Sequence, residues 1–377
     1  MNTKLGIFFT NLGPYHLARI EASAKYFQKK QIEIVAVELA QSEEIYPWKT
    51  KRENCDFPII SVIRDKGLSR TRFFDLCLNL VYILNEVNPD VVAIAGYSEP
   101  GMLLTLFWCL WNHKPVILLS ESKEDDEGRS EWKEKLKSLI INRCKAALVG
   151  GEIHKQYLAK LGIPSNAIFL GYDVVENQVF HPNTICHLPS PLTKPYFLAI
   201  NRFITKKNLF LLIESYAKYR QKKRDLAWDL VLSGDGELRP QIEQQIDDLA
   251  LTKFIHLPGF LQQEELLPYF AHANCFIHTS IQEQWGLVVN EAMAAGLPVI
   301  VSNRCGCFED LVIEGVNGFG FDPEDQQALT QLMLKMSSQE VDLVATGEAS
   351  LQHIQKYSPD YFAQGLMQAV EYSLAHF

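Results

Sequence analysis

The sequence predicts an α/β protein built as two doubly wound, parallel-sheet domains. Three observations carry the prediction: the length, a repeated alternation of short β-rich runs with amphipathic stretches, and a proline-rich break between two rounds of it. At 377 residues the chain exceeds the roughly 250–300 residues at which single cores stop growing. In the first round, 4–9, 32–38, 59–63, 91–95, 116–120 and 146–149 read as buried strands, apolar almost throughout, as strands covered on both faces must be. Helical patterns lie between most of them, and a helix crossing over after each strand gives a parallel sheet.

The second round places strands at 196–200, 229–233, 254–257, 275–278 and 298–301. Between the rounds, 181–195 holds Pro182, Pro189, Pro191 and Pro195 without an apolar period, the composition of a linker. The expected domains are 1–184 and 185–358. In 359–377, Phe362, Leu366, Ala369, Val370 and Leu374 have helical spacing, which predicts a C-terminal helix packing back on the first domain. Two Rossmann-like sheets of this kind are expected to face one another across a cleft, with ligands at the carboxyl ends of the strands.

Composition narrows the function. The net charge is −9; 1–184 balances to about zero, so the second half carries the acidic excess. Nucleic acid is a poor candidate partner, whereas a phosphorylated ligand needs only local donors and a helix end. The first eleven residues lack the pattern of a secretory leader, so a cytoplasmic location is expected. The most apolar stretch, 102–111, stops at Asn112, His113 and Lys114, short of the roughly 20 residues that span a bilayer, and reads as a buried helix. Eight scattered cysteines, among them Cys77, Cys109 and Cys275, suit reduced core thiols. The close pair Cys305 and Cys307 lacks a second ligand pair for zinc.

The most informative segment is 283–300, Glu-Gln-Trp-Gly-Leu-Val-Val-Asn-Glu-Ala-Met-Ala-Ala-Gly-Leu-Pro-Val-Ile. Loop, helix, turn and strand follow in order. Gly286 allows a ligand close to the backbone, and a helix starting near Leu287 and Val288 aims free N–H groups outward, a seat for a diphosphate. Glu291 falls about one turn into that helix, where a carboxylate can accept from two adjacent hydroxyls. Glu283, ahead of the helix, reaches further out.

Here the chain resembles the family 4 glycosyltransferases, whose Glu-(seven residues)-Glu pattern and following Glu-Ala-Met-Ala-x-Gly-x-Pro-Val are matched from Glu283 to Val299. Asn201-Arg202-Phe203-Ile204-Thr205-Lys206-Lys207-Asn208 resembles the family's Gly-Arg-x-x-x-x-Lys-(Gly/Asn) element, with Asn201 in place of the usual glycine. The resemblance makes Arg202 and Lys207 diphosphate binders: a planar fork and a point charge that neutralise a leaving group. Gly234, in Ser233-Gly234-Asp235-Gly236, matches a nucleotide-side loop. Leu257-Pro258-Gly259-Phe260 matches a segment whose Gly259 and Phe260 backbone would meet the base. The likeness runs over about 196–322.

The first domain is more individual. Asn11-Leu12-Gly13-Pro14-Tyr15-His16 resembles the family's glycine-rich first loop with one glycine where many members carry two. Gly13 would allow close approach to the transferred sugar, and His16, in the first helical turn, is open to a substrate contact or to a packing and capping role. Around Ala95-Gly96-Tyr97-Ser98-Glu99 the histidine of many relatives is absent, which leaves Tyr97, Ser98 and Glu121, the last in Ser120-Glu121-Ser122, as acceptor-side candidates. The 171–177 segment resembles a hinge. Lys133, Lys135, Lys137, Arg143 and Lys145 interleave with Trp132, Leu136, Leu139 and Ile140; for this stretch a solvated amphipathic helix and a peripheral membrane contact both stay open.

The resemblance implies a retaining GT-B enzyme moving a sugar from a nucleotide-sugar to a hydroxyl acceptor in glycolipid, polysaccharide or metabolite glycosylation. UDP is the expected nucleotide and GDP the runner-up. Catalysis would fall to Arg202, Lys207, Glu283 and His16, with no protein base required. No Asp-x-Asp triplet occurs, so neither a cofactor nor a divalent metal is expected. The rival readings are a GT-B epimerase and a non-catalytic nucleotide-sugar-binding partner of another transferase.

Overall fold

A computed structural model describes residues 3–41, 55–64, 66–125 and 130–377. The chain divides into two compact units, 1–175 with 357–377 and 176–356.

Unit 1 runs β1 (Thr3–Phe9), α1 (Pro14–Gln28), β2 (Ile32–Ala40), β3 (Ile59–Ile63), α2 (Phe73–Val87), β4 (Val91–Ala95), α3 (Pro100–Trp111), β5 (Val116–Ser120), α4 (Glu131–Ile141), β6 (Ala146–Val149), α5 (Glu152–Lys160) and β7 (Ile168–Leu170). The seven strands pair in parallel in the order β3-β2-β1-β4-β5-β6-β7. Because β1 to β2 steps one way across the sheet and β3 through β7 the other, right-handed crossovers put α1 on one face and α2 to α5 on the opposite face. Both faces of the central strands are therefore covered, which is why β4, β5 and β6 are apolar and buried along their length.

Unit 2 runs α6 (Asn177–Phe180), α7 (Pro182–Ile185), β8 (Tyr196–Ile200), α8 (Leu209–Lys223), β9 (Asp229–Ser233), α9 (Arg239–Asp248), β10 (Ile255–His256), α10 (Gln263–His272), β11 (Cys275–His278), α11 (Leu287–Ala294), β12 (Val299–Ser302), α12 (Phe308–Leu311), β13 (Gly318–Phe321), α13 (Gln326–Met336) and α14 (Leu343–Ile354). Its six parallel strands are ordered β10-β9-β8-β11-β12-β13. The chain then returns to unit 1 as α15 (Pro359–Ala375), which packs on α1 and over β5, β6 and β7.

Three expectations need correction. The division falls after Val175, not Thr184. Arg19 Nε and Nη2 donate to Val174 O at 3.2 and 3.1 Å, tying that residue to unit 1. Beyond it, Asn177 Nδ2 donates to Ile354 O at 3.0 Å and the Phe180 ring meets Phe270 edge-on at 5.4 Å, so the supposed linker starts as part of unit 2. Second, α3 is not a buried helix: Met102, Leu106 and Cys109 face the core while Phe107 and Trp111 are 63% and 86% exposed, because a helix covering a sheet buries one stripe only. Third, β7 and β13 extend the sheets beyond the strands expected. In β13, Gly318 lies so close to β12 that a Cβ there would stand 2.2 Å from Val299 O, a packing that no β-propensity scale rewards.

Candidate functional site

Unit 2 gathers its polar side chains at the carboxyl ends of β8, β9 and β11. The loop after β11 turns at Gly286, whose φ of +105° belongs to the left-handed region. It caps α11 without any side-chain acceptor, so the first N–H groups of the helix are left for a ligand. Leu287 and Val288 there are partly exposed, whereas Glu291, further along α11, is buried. Trp285 is buried and donates from Nε1 to Asn290 Oδ1 at 2.8 Å, which clamps the turn onto the helix. From the other side, Gly306 N donates to Glu283 O at 3.1 Å and Cys307 N to Trp285 O at 3.2 Å.

Glu283 is the hub. Its Oε2 pairs with Lys207 Nζ and accepts from Ser280 Oγ at 3.0 Å, with His278 Nε2 at 3.1 Å. Burial alone would raise this carboxyl, but the His278 bond and the Lys207 charge hold it well below the usual carboxylate range. His278, wholly buried, is pushed down, first by desolvation and then by Lys207, and stays neutral. With Nδ1 lacking a hydrogen-bond partner among the described residues, the geometry puts the imidazole proton on Nε2, toward Glu283. A Cβ on Gly286 would lie 3.5 Å from Glu283 Cγ and 3.6 Å from His278 Nε2. Lys207, Glu283 and the Gly286 turn therefore form one group.

The backbone locks the lysine loop in place: Thr279 Oγ1 donates to Lys207 O at 2.8 Å and Ile281 N to Lys206 O at 2.9 Å. Arg202, partly exposed, sits earlier in that loop, which is stitched to the next one by Asn201 N to Ser233 O at 2.9 Å and Phe203 N to Asp235 O at 2.8 Å. Gly234 is what permits the approach. Its φ is +128°, and a Cβ would fall 1.7 Å from Asn201 O. Gly234 N in turn donates to Gly259 O at 2.8 Å, and Phe260 beside it is 41% exposed. Arg202, Gly234 and Gly259 thus lie on successive bonded loops. Asn201, standing where the family has glycine, is buried with both side-chain amide atoms unbonded among the described residues.

Unit 1 carries the other candidates at the ends of its own strands. His16 Nδ1 accepts from Gly13 N at 3.1 Å, and the ring lies 4.4 Å from that of Phe9. The imidazole is thereby a helix cap, with its pKa lowered by desolvation and by Arg19; only Nε2 is left for another partner. Gly13 has ordinary extended backbone. Tyr97 packs partly on the core, and Ser98 is exposed at the start of α3.

Glu121, partly exposed after β5, acts electrostatically on the side chain of Asp173, which is buried after β7. Burial first, and then the charge of Glu121, raise the Asp173 carboxyl far above its usual value, although Arg19 at 3.7 Å pulls the other way. Arg19, Asp173, Ser280 and His278 were not among the residues picked from the sequence. The sole clue was position: each but Arg19 follows or ends a strand, where side chains of such sheets meet ligands. Among the described residues no three His, Cys, Asp or Glu side chains cluster as metal ligands do.

Residues 183–353 match the family model for glycosyl transferases group 1. The chain is 30% identical over 193 residues to the amylovoran biosynthesis glycosyltransferase AmsK of Erwinia amylovora, covering 50% of this chain and 46% of that protein. It is 27% identical over 183 residues to the D-inositol 3-phosphate glycosyltransferase of Corynebacterium urealyticum, 47% of this chain and 43% of the relative. The matched stretches thus span less than half the length of these relatives. As a fold, the chain superimposes on Anabaena Alr3699/HepE, solved in complex with UDP and glucose, with a TM-score of 0.76 at 16% identity over 98% of this chain and 99% of that one. The chain thus resembles the glycosyl transferases group 1 family over 183–353, a stretch carried on one of two Rossmann-like parallel sheets.

Proposed function

We propose that the protein is a retaining glycosyltransferase that moves a sugar from a nucleotide-sugar to a hydroxyl acceptor without a divalent metal. One observation carries the reading: Lys207, from the loop after β8, is ion-paired to Glu283 directly beside the uncapped Gly286 turn of α11. A cation next to free helix N–H groups suits the charge that grows on a leaving diphosphate. Arg202, on the same loop as Lys207, adds a bidentate fork. Glu291 and the Gly234 and Gly259 loops take the nucleoside, and Glu283 the sugar hydroxyls. The buried, unbonded amide of Asn201 supports a ligand on this side, since an unsatisfied amide costs about 1–3 kcal/mol that a bound group recovers.

UDP is the favoured nucleotide, a choice supported by the UDP in the Anabaena neighbour, with GDP second. Retention of configuration places acceptor attack on the face the diphosphate leaves, where a phosphate oxygen takes the acceptor proton. Glu121, Tyr97 and Ser98 in unit 1 are the acceptor-side candidates, and His16 offers Nε2 to the same task. The test is incubation with a panel of UDP- and GDP-sugars, reading nucleotide release. Slow release that falls roughly 100- to 1000-fold in Arg202→Ala is the expected result. Tight binding with no release from any donor would make the protein a non-catalytic binder.

A further inference from the structure

In α4 Ile141 is buried and Ile140 packs partly on the core, yet the helix carries a second apolar stripe that faces outward. Polar contacts also tie it to the domain: Tyr157 Oη donates to Glu134 Oε2 at 2.9 Å, Ser138 Oγ donates to Leu161 O at 2.6 Å, and Lys137 pairs with Glu134 at 3.2 Å. The outward stripe is Trp132, Leu136 and Leu139, 65%, 50% and 64% exposed at helical spacing. A helix of a soluble domain normally buries such a stripe. Exposed cations, Lys133, Lys135 and Arg143, border it.

The neighbouring helices share the property. By the crossover argument, α2, α3 and α4 lie on one face of the unit 1 sheet, and α2 and α3 are in contact, joined where Trp108 Nε1 donates to Asn85 Oδ1 at 3.0 Å. The outward stripe of α2 is Phe74, Leu78 and Tyr82, at 77%, 72% and 65% exposure, and that of α3 is Phe107 and Trp111. Patches so large and aromatic mark an interaction surface.

We propose that this three-helix face docks on a bilayer carrying anionic headgroups, lying on it without crossing it. Aromatic side chains at the level of the headgroups, with cations beside them, are the composition of an interfacial surface. No helix among the described residues is long and apolar enough to cross a membrane. A second copy fits the face less well, because a two-fold contact through α4 would set Lys133, Lys135 and Arg143 against their own counterparts. The inference rests on unit 1 alone and is independent of the reading of unit 2.

The test is flotation of the whole purified chain with phosphatidylcholine vesicles and with phosphatidylcholine–phosphatidylglycerol vesicles, alongside its elution in gel filtration. The expected result is binding to the anionic vesicles that declines with salt as surface charges are screened. Lys133→Glu/Lys135→Glu should weaken it by about tenfold or more, and Trp111→Ala/Trp132→Ala should weaken it on both kinds of vesicle, with nucleotide release unchanged. Absence of binding to either vesicle overturns the proposal. So does binding indifferent to salt and lipid charge, or self-association of the chain that the same substitutions abolish. Should a variant fail to fold, the salt and lipid dependence of the unaltered chain decides alone.

Discussion

Lys207→Ala tests the hub of unit 2 in two ways at once. The lysine and Glu283 side chains are only 13% and 12% exposed, so removing the cation strands a carboxylate in a largely dry site. Breaking an enclosed pair from one side costs about 3–5 kcal/mol; because His278 and Ser280 still reach Glu283, the lower end, about 3 kcal/mol, is expected. Lys207→Ala/Glu283→Gln removes the stranded charge while keeping a group for His278 and Ser280 to bond, and should recover most of that loss. Nucleotide release should stay depressed in both variants, since the double substitution restores stability and not the cation.

The pH dependence has a definite sign. The folded pKa of Glu283 lies below the ordinary 4.5, so its contribution is fully present above about pH 4.5 and lost as pH falls toward the folded value. Lys207→Ala, by raising the folded pKa, should flatten that acid limb. Urea denaturation of the three proteins at several pH values measures all of this. A single variant as stable as the unaltered chain, or a double variant no better than the single, would refute the reasoning.

The other expectations concern the loops and the cap. Gly234→Ala forces a Cβ toward Asn201 O at a φ of +128°; backbone strain of about 1–2 kcal/mol, together with displacement of the Arg202 loop, should show as a lower urea midpoint and at least about tenfold weaker nucleotide binding. His16→Ala leaves Gly13 N–H without its acceptor and should cost about 0.5–2 kcal/mol, while His16→Gln, which can reach back as a capping box does, restores most of it. Because the His16 pKa is lowered from 6.5, its contribution is present above about pH 6.5 and lost below, so the His16→Gln variant should lose less stability between pH 7 and 5. Nucleotide release, finally, should survive excess chelator.

The sheets were legible because β1, β4, β5, β8 and β9 are short apolar runs, and a strand buried on both faces leaves that trace in any sequence. The strand β13 was not, since Gly318 and Gly320 break the apolar run that marks the other strands; only the nearness of Val299 O and of the Phe308 ring makes glycine the fitting residue. In the site, Gly286 and Glu283 announced themselves through local spacing. That Lys207 would meet Glu283, 76 residues away, is a product of β8 and β11 lying side by side, which no local pattern encodes. His278 was hidden for a related reason: it ends an apolar strand, and its importance lies in a bond made after the chain has turned back on itself. The outward stripe of α3 was misjudged because apolar periodicity tells which residues share a helix face and not which way that face looks.

The helix α15 gives unit 1 a dependence on timing. Gly365 of this helix lies so close to β7 that a Cβ would stand 2.2 Å from Leu170 O, and the helix covers the flank of the sheet that α1 begins. A ribosome delivers it only after all of 176–356 has emerged. Until then, the newly made first 175 residues carry an open apolar flank beside α1, and the cell must shield that nascent segment for as long as unit 2 takes to be translated. Premature stops between Val175 and Pro359 should therefore yield aggregates, not a stable half-protein, even where every strand of the first sheet has been made.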